Sequence, residues 1–326
     1  MIRILTGEDV RQALPMRQAI EVIKKAYARL SQGEVQAPMR TALHTPGHQG
    51  ITLVMPAALG EGEQVAVKII ALFDDNPARG LPRAHALVVY LDPDTGAPAA
   101  ILDGSALTAL RTGAASGAAT DLLARPDARS VAIFGAGVQG RAQLQAVCAV
   151  RAIREAWVYD PSPQQAQGFA DEMCAALGIP VHIAGSPGEA VRPADVICTA
   201  TPATSPVFDD GDLRQGAHIN AIGAFTPQMQ EIPVETVQRA KVVVDQREAV
   251  LEEAGDLLIP LKSGVIGEDH FSTELGEVIA KDKPGRISPE QITLFKSVGV
   301  AVQDVAAAAA VFEAAQKAGL GAQVAL

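Results

Sequence analysis

SVAIFGAGVQGRAQLQAVCAV, residues 130 to 150, passes from a short β-branched run through three glycines into a helical pattern. Gly135, Gly137 and Gly140 stand in GxGxxG register. The first allows a tight turn, the second lets a pyrophosphate approach the backbone, and the third lets the helix pack closely on its strand, with the free N–H groups of the helix start facing the anion. A bare GxGxxG is a weak signal, but here the strand, turn and helix are all present. Asp160 ends the next strand-like run, EAWVYD, twenty residues after Gly140. A carboxylate there accepts hydrogen bonds from the adenosine ribose hydroxyls. It also opposes a 2′-phosphate, since two unit charges 4 Å apart repel by about 4 kcal/mol at an effective dielectric near 20. The following PSPQQ carries no cation, so NAD (NADH) is the expected cofactor. Arg141, just past the turn, keeps NADP (NADPH) as the alternative.

Outward from the turn, residues 130 to 246 alternate strand-length runs with helical stretches: SVAIFG, EAWVYD, VHIAG, DVICTAT, HINAIGAF and KVVVDQ. Apolar strands separated by helices predict a parallel, doubly wound sheet. The preceding segment differs. ITLVMPAAL, QVAVKIIALF and AHALVVYLD run at strand length between turn signals at GEGE, DDNPARGLP and DPDTG, which predicts an antiparallel sheet. A helix over Met16 to Gln32 aligns Ala19, Ile20, Ile23, Ala26 and Leu30 on one stripe. The alanine-rich helix pattern after residue 296 is expected to return to this first domain, because the termini of a domain commonly lie together. The expected organisation is thus an α/β chain of two domains: 118–302 carries the doubly wound parallel sheet, and 1–117 with 303–326 forms a discontinuous α+β domain.

The chain has 326 residues, 48% of them hydrophobic, and a formal charge of −10. Without a basic run to offset it, that charge excludes nucleic acid and anionic membrane as partners. No apolar run approaches the length of a membrane span, and MIRILTGEDV lacks the apolar stretch of a signal peptide, so a cytoplasmic protein acting on a small molecule is expected. Cys148, Cys174 and Cys198 stand far apart and read as core thiols. His44 and His48 are separated by Pro46 and Gly47 and read as loop residues, so no metal site is expected. Two cations stand out: Lys68 lies in VAVKII and Arg111 in a small, apolar helix pattern, places where a charge without a counterion is costly. Arg40 is a weaker candidate and reads nearly as well as a solvated loop residue.

From the entry helix to the closing SVGVAVQDVAAAA, the chain resembles the ornithine cyclodeaminase and mu-crystallin family. The matches lie in VAVKII, ALTALRTGAASGAAT, GAGVQG, CTATPATSPVF and HINAIGA. The resemblance implies a Rossmann domain, a discontinuous dimerisation and substrate domain, a homodimer, and nicotinamide chemistry on amino or imino acids. It assigns the substrate carboxylate to Arg40, Lys68 and Arg111, a role that planar guanidinium forks and an ammonium suit. It sets the dinucleotide against Thr112, the turn residues Gly135, Gly137, Val138, Gln139 and Gly140, and Asp160. Thr199, Ala200, Thr201, Asn220, Ile222, Gly223, Ser297 and Gly299 would complete that site.

Two departures narrow the reading. Phe225 stands where the cyclodeaminases have an aspartate, and the strand ITLVM lacks the glutamate they place before the equivalent of Pro56. Both carboxylates that would handle a substrate ammonium are missing, whereas reduction of a C=N bond needs a hydride, a carboxylate clamp and one proton. The expected reaction is therefore reduction of a cyclic ketimine acid, Δ1-pyrroline-2-carboxylate or Δ1-piperideine-2-carboxylate, to L-proline or L-pipecolate. Phe225 would wall the ring and Lys68 or a water would supply the proton. The rivals are reductive amination of the alanine dehydrogenase type, a true cyclodeaminase, and a non-catalytic binder of the mu-crystallin kind.

Overall fold

The computed structural model describes residues 1–48 and 50–325 and divides them into two compact units. One runs from Met1 to Arg111 and resumes at Val300; the other is Thr112–Gly299. The sequence reading drew these divisions at residues 117 and 302.

The first unit opens with β1 (Ile2–Leu5), β2 (Val35–Gln36), β3 (Thr41–Thr45), β4 (Gly50–Leu59), β5 (Gln64–Phe73), β6 (Ala84–Leu91) and β7 (Pro98–Asp103). The second supplies β8 (Ser130–Phe134), β9 (Glu155–Tyr159), β10 (Val181–Ile183), β11 (Val196–Thr199), β12 (His218–Ala221), β13 (Lys241–Val244) and β14 (Thr293–Lys296), and β15 (Ala322–Val324) returns to the first.

In the first unit the strand order is β15-β1-β7-β6-β5-β4-β2, with β3 also pairing with β4. The long central pairs are antiparallel, as ITLVMPAAL, QVAVKIIALF and AHALVVYLD predict. His44 lies in β3 and His48 in a short 3-10 turn, so the first is strand where loop was expected. The entry helix, Met16–Ser31, buries Ala19, Ile20, Ile23, Ala26 and Tyr27, whose three- and four-residue spacing makes one apolar stripe. It packs against the closing helix, Ala301–Ala318, which also lies on β4, β5 and β6. Ala306 to Ala309 are all buried there, and such small side chains let the helix approach its neighbours closely. On the sheet, Ile69 and its cross-strand partner Leu87 remain 37% and 39% exposed.

In the second unit every strand pair is parallel, in the order β10-β9-β8-β11-β12-β14-β13. Val131, Ile133, Val158, Phe169 and Met173 are among the core residues between this sheet and its helices. β14, from the short run TLFK, inserts between β12 and β13, a strand that the sequence pattern did not reveal. β9 and β10 lie on one side of β8, and β11 and β12 on the other. The strand order therefore reverses between β8 and β11, the kind of point at which open α/β sheets bind ligands beyond the carboxyl ends of their strands. Of the cysteines, Cys198 is buried, Cys148 half-buried and Cys174 exposed, so Cys174 is not a core thiol. No helix among the described residues is long and apolar enough to cross a membrane.

Candidate functional site

In the first unit, Lys68 sits midway along β5, between Met55 of β4 and Val88 of β6. Only 1% of it is exposed, and its Nζ lies 2.8 Å from Oδ2 of Asp304 on the closing helix. Arg111 reaches the same carboxylate: Nε donates to Asp304 Oδ1 at 3.1 Å and Nη1 to Gln303 Oε1 at 2.6 Å. Gln303 is held in turn, donating Nε2 to the Tyr27 hydroxyl at 2.7 Å and accepting from the Val300 N–H at 3.0 Å.

Arg40, half-buried, immediately precedes β3. Thr41 pairs with Val54 and Val54 with Ile69, which carries Arg40 to the level of Lys68, and its charge acts on that ammonium. Burial, and next the positive charge of Arg111, bring the Lys68 ammonium down to about 8 against the upward pull of Asp304. Burial would raise Asp304, but the charges and hydrogen bonds of Arg111 and Lys68 hold it below the usual carboxylate range.

One expectation changes here. Lys68 and Arg111 do not each wait for a ligand anion, because Asp304 pairs with both. Yet two buried cations, Lys68 and Arg111, share the one carboxylate of Asp304. The surplus is what favours a ligand carboxylate, since uncompensated charge in a buried site is costly.

In the second unit the glycine turn has the geometry its spacing predicts. Gly135 adopts φ +95°, and a Cβ there would meet the Ala200 carbonyl at 2.6 Å. A Cβ on Gly140 would strike the Gly135 carbonyl, so helix and strand pack in contact. Gly137, at the N-terminus of the helix Val138–Val150, has nothing within 4 Å of an added Cβ, and no side chain caps that helix start. Buried Gln139 Oε1 has no hydrogen-bond partner among the described residues. Open space above uncapped N–H groups fits a pyrophosphate.

Asp160 closes the turn, accepting from the Ala136 N–H at 2.9 Å and the Ser162 N–H at 2.8 Å. Arg141 is committed elsewhere: it pairs with Glu172 at 2.7 Å, donates to the Ala136 and Gly137 carbonyls, and stacks 5.3 Å over the Phe169 ring. That leaves the carboxylate of Asp160 to set the local charge and favours NAD over NADP.

The remaining assigned residues lie at or just past the carboxyl ends of β11, β12 and β14, apart from buried Thr112 in the helix Gly104–Leu123. Thr199 and Thr201 donate to Glu231, and Ser297 Oγ and the Gly299 N–H donate to Asp245. Asn220 is different. Fully buried, its amide donates to Thr120 Oγ1 and Cys198 Sγ while His218 contacts its oxygen, so its side chain is engaged within this unit. Ile222 and Phe225 are half-buried in the loop after β12.

Sequence reasoning missed Asp304, Glu231, Asp245, Asp256 and Lys296, all buried ionisable residues. Burial first, then the neighbouring Asp256, pushes Glu231 above the usual carboxylate range, with Lys296 opposing. Asp245 is also raised by burial, against the hydrogen bonds it accepts.

The model of the ornithine cyclodeaminase/mu-crystallin family matches residues 2–319. A Δ1-pyrroline-2-carboxylate reductase of Bacillus cereus is 38% identical over 319 residues, covering 98% of each chain. Among solved structures, the Thermococcus litoralis Δ1-pyrroline-2-carboxylate reductase in complex with NADH and L-proline superposes with a TM-score of 0.95 at 43% identity, covering 99% of this chain and all of the other. An archaeal alanine dehydrogenase dimer with bound NAD gives 0.92 at 37% identity, covering 99% of both.

Proposed function

This chain belongs to the ornithine cyclodeaminase/mu-crystallin family, and from that premise we propose that it is an NADH-dependent oxidoreductase reducing cyclic ketimine acids. It takes Δ1-pyrroline-2-carboxylate or Δ1-piperideine-2-carboxylate to L-proline or L-pipecolate. The observation that carries the reading is the buried positive surplus at Lys68 and Arg111 around the single carboxylate of Asp304, a receptor for one substrate carboxylate. The names of its full-length relatives support the same chemistry.

Arg111 and Arg40 grip the carboxylate, and the Lys68 ammonium gives its proton to the ring nitrogen. The reduced nicotinamide, when bound, supplies the hydride to C2, so C=N becomes CH–NH. Phe225 offers the ring an apolar wall and no base. Asp160 holds the cofactor preference to NADH. Gly137 and the helix start at Val138 and Gln139 receive the pyrophosphate. The protein works as a homodimer, with a second copy covering the partly exposed Leu43, Ile69 and Leu87 of the first unit; the similar alanine dehydrogenase is itself a dimer.

The test follows NADH absorbance with cyclic imino acids, with pyruvate plus ammonia, and with no substrate. Oxidation should be fastest with a cyclic ketimine acid and slower with NADPH. Faster turnover of pyruvate with ammonia would replace this reading with the alanine dehydrogenase type. Binding of NADH with no turnover on any substrate would make the protein a binder.

A further inference from the structure

Glu231 is fully buried, and five donors converge on its carboxylate. Oε1 accepts from the Thr201 N–H at 2.7 Å and its hydroxyl at 2.8 Å. Oε2 accepts from the Thr199 hydroxyl at 3.0 Å, the Gly223 N–H at 2.7 Å and the Ala224 N–H at 3.1 Å. One side chain thus ties the loop leaving β11 to the loop leaving β12. Its own backbone is pinned as well: Asp256 Oδ1 accepts from the N–H groups of Glu231 and Ile232 at 2.7 and 3.0 Å. Asp256 Oδ2 pairs at 2.8 Å with Lys296, the last residue of β14. At Gly223 a Cβ would strike the Thr201 carbonyl and stand 2.5 Å from Glu231 Oε1, so the two loops meet around the carboxylate.

We propose that Glu231 is a positioning residue that sets Thr199–Thr201 and Gly223–Ala224 for the nicotinamide end of the dinucleotide, while the glycine turn and Asp160 serve the adenosine diphosphate end. This rests on the dinucleotide reading above. The donor set shows why the residue must be a carboxylate. Three of the five donors are backbone N–H groups that cannot reorient, and they lie on both sides of the carboxyl group. A glutamine amide, whichever way it is turned, points N–H at one of them and releases that loop. Aspartate keeps both acceptors but is one methylene too short to span both loops.

The experiment is calorimetric titration of the full chain with NADH and, separately, with ADP-ribose, which lacks the nicotinamide. Wild type is compared with Glu231→Gln, Glu231→Asp and Thr201→Val. ADP-ribose affinity should stay within about twofold in all, whereas Glu231→Gln should weaken NADH about tenfold or more, the scale of a lost hydrogen bond to a charged group. Glu231→Asp should fall between wild type and Glu231→Gln, and Thr201→Val should weaken NADH severalfold. If Glu231→Gln does not fold, Thr201→Val carries the same comparison. Equal weakening of both ligands would make the carboxylate a general support of the sheet edge and overturn the proposal. Unchanged NADH affinity would overturn it too. Failure of wild type to bind ADP-ribose would instead remove the dinucleotide reading, and this proposal with it.

Discussion

Replacing Asp304 with asparagine keeps the shape of the side chain and removes the one carboxylate between Lys68 and Arg111. At 2.8 and 3.1 Å each contact amounts to about 5 to 6 kcal/mol of attraction at an effective dielectric near 20. Against this stands the desolvation of Asp304, several kcal/mol that the variant recovers. The expected net loss is about 3–5 kcal/mol, the range seen when one partner of a buried pair is removed. For a unit of this size that corresponds to roughly 10 to 20 °C in Tm.

Lys68 gives the effect a pH signature. Its proton is held less readily in the folded chain, at about 8, than at its ordinary 10.5. Between those values the unfolded chain binds more protons, so the burden of burying this group lightens as pH rises through the window. Without Asp304, which raises Lys68, the lower edge of the window drops. A neutral Lys68 needs no counterion, so the stability gap between wild type and Asp304→Asn should be wider near pH 6.5 than near 9.5. Scanning calorimetry at both values measures it. The rate of ketimine reduction should fall above about pH 8 in wild type as the ammonium is lost, and at lower pH in the variant. A gap below about 1 kcal/mol, the worth of an exposed pair, or one that does not change with pH, would refute the argument.

Gly137→Val should abolish NADH binding by calorimetry with little change in Tm, because an added Cβ there has no protein atom within 4 Å and the side chain fills the space given to the pyrophosphate. Asp160→Ser should shift the kcat/KM ratio towards NADPH by about tenfold or more, and weaken both cofactors because the turn loses the acceptor of the Ala136 N–H. A wild type that already prefers NADPH would move the specificity role to Arg141. L-ornithine with catalytic NAD should release ammonia far more slowly than the same preparation reduces Δ1-pyrroline-2-carboxylate, because Phe225 can neither pair with the second ammonium nor take its proton.

What the sequence made legible is local in character. The glycine turn could be read because three positions within six residues state a backbone geometry, and Gly135 and Gly140 now show the positive φ and the close contact that this geometry demands. Lys68 could be read because an ammonium inside VAVKII breaks an apolar pattern. The same rule applied to AVQDVAAAAA singles out Asp304, but the alanines drew the reading to helix propensity and away from the one charge among them. Glu231, Asp245, Asp256 and Lys296 are of another kind. Glu231 lies in a loop, and Asp256 and Lys296 are forty residues apart in the chain. Their pairing depends on β14 entering the sheet between β12 and β13, an outcome of topology that a four-residue run does not announce.

That division has a physical reason. A ligand-binding turn must present its chemistry through its own backbone, so its residue types are constrained in sequence. The loops at strand ends are built from residues such as Thr, Ala and Gly that also suit plain packing, and they acquire a defined shape only when something distant fixes them. Here buried carboxylates do so, each accepting several backbone N–H groups that would otherwise be orphaned. Isolated buried carboxylates would be prohibitive, and the donors converging on Glu231 and Asp245 are what make them tolerable. The same dependence makes each loop sensitive to a residue that does not touch the ligand, which is why the determinants of cofactor geometry in such a fold extend beyond its recognisable motif.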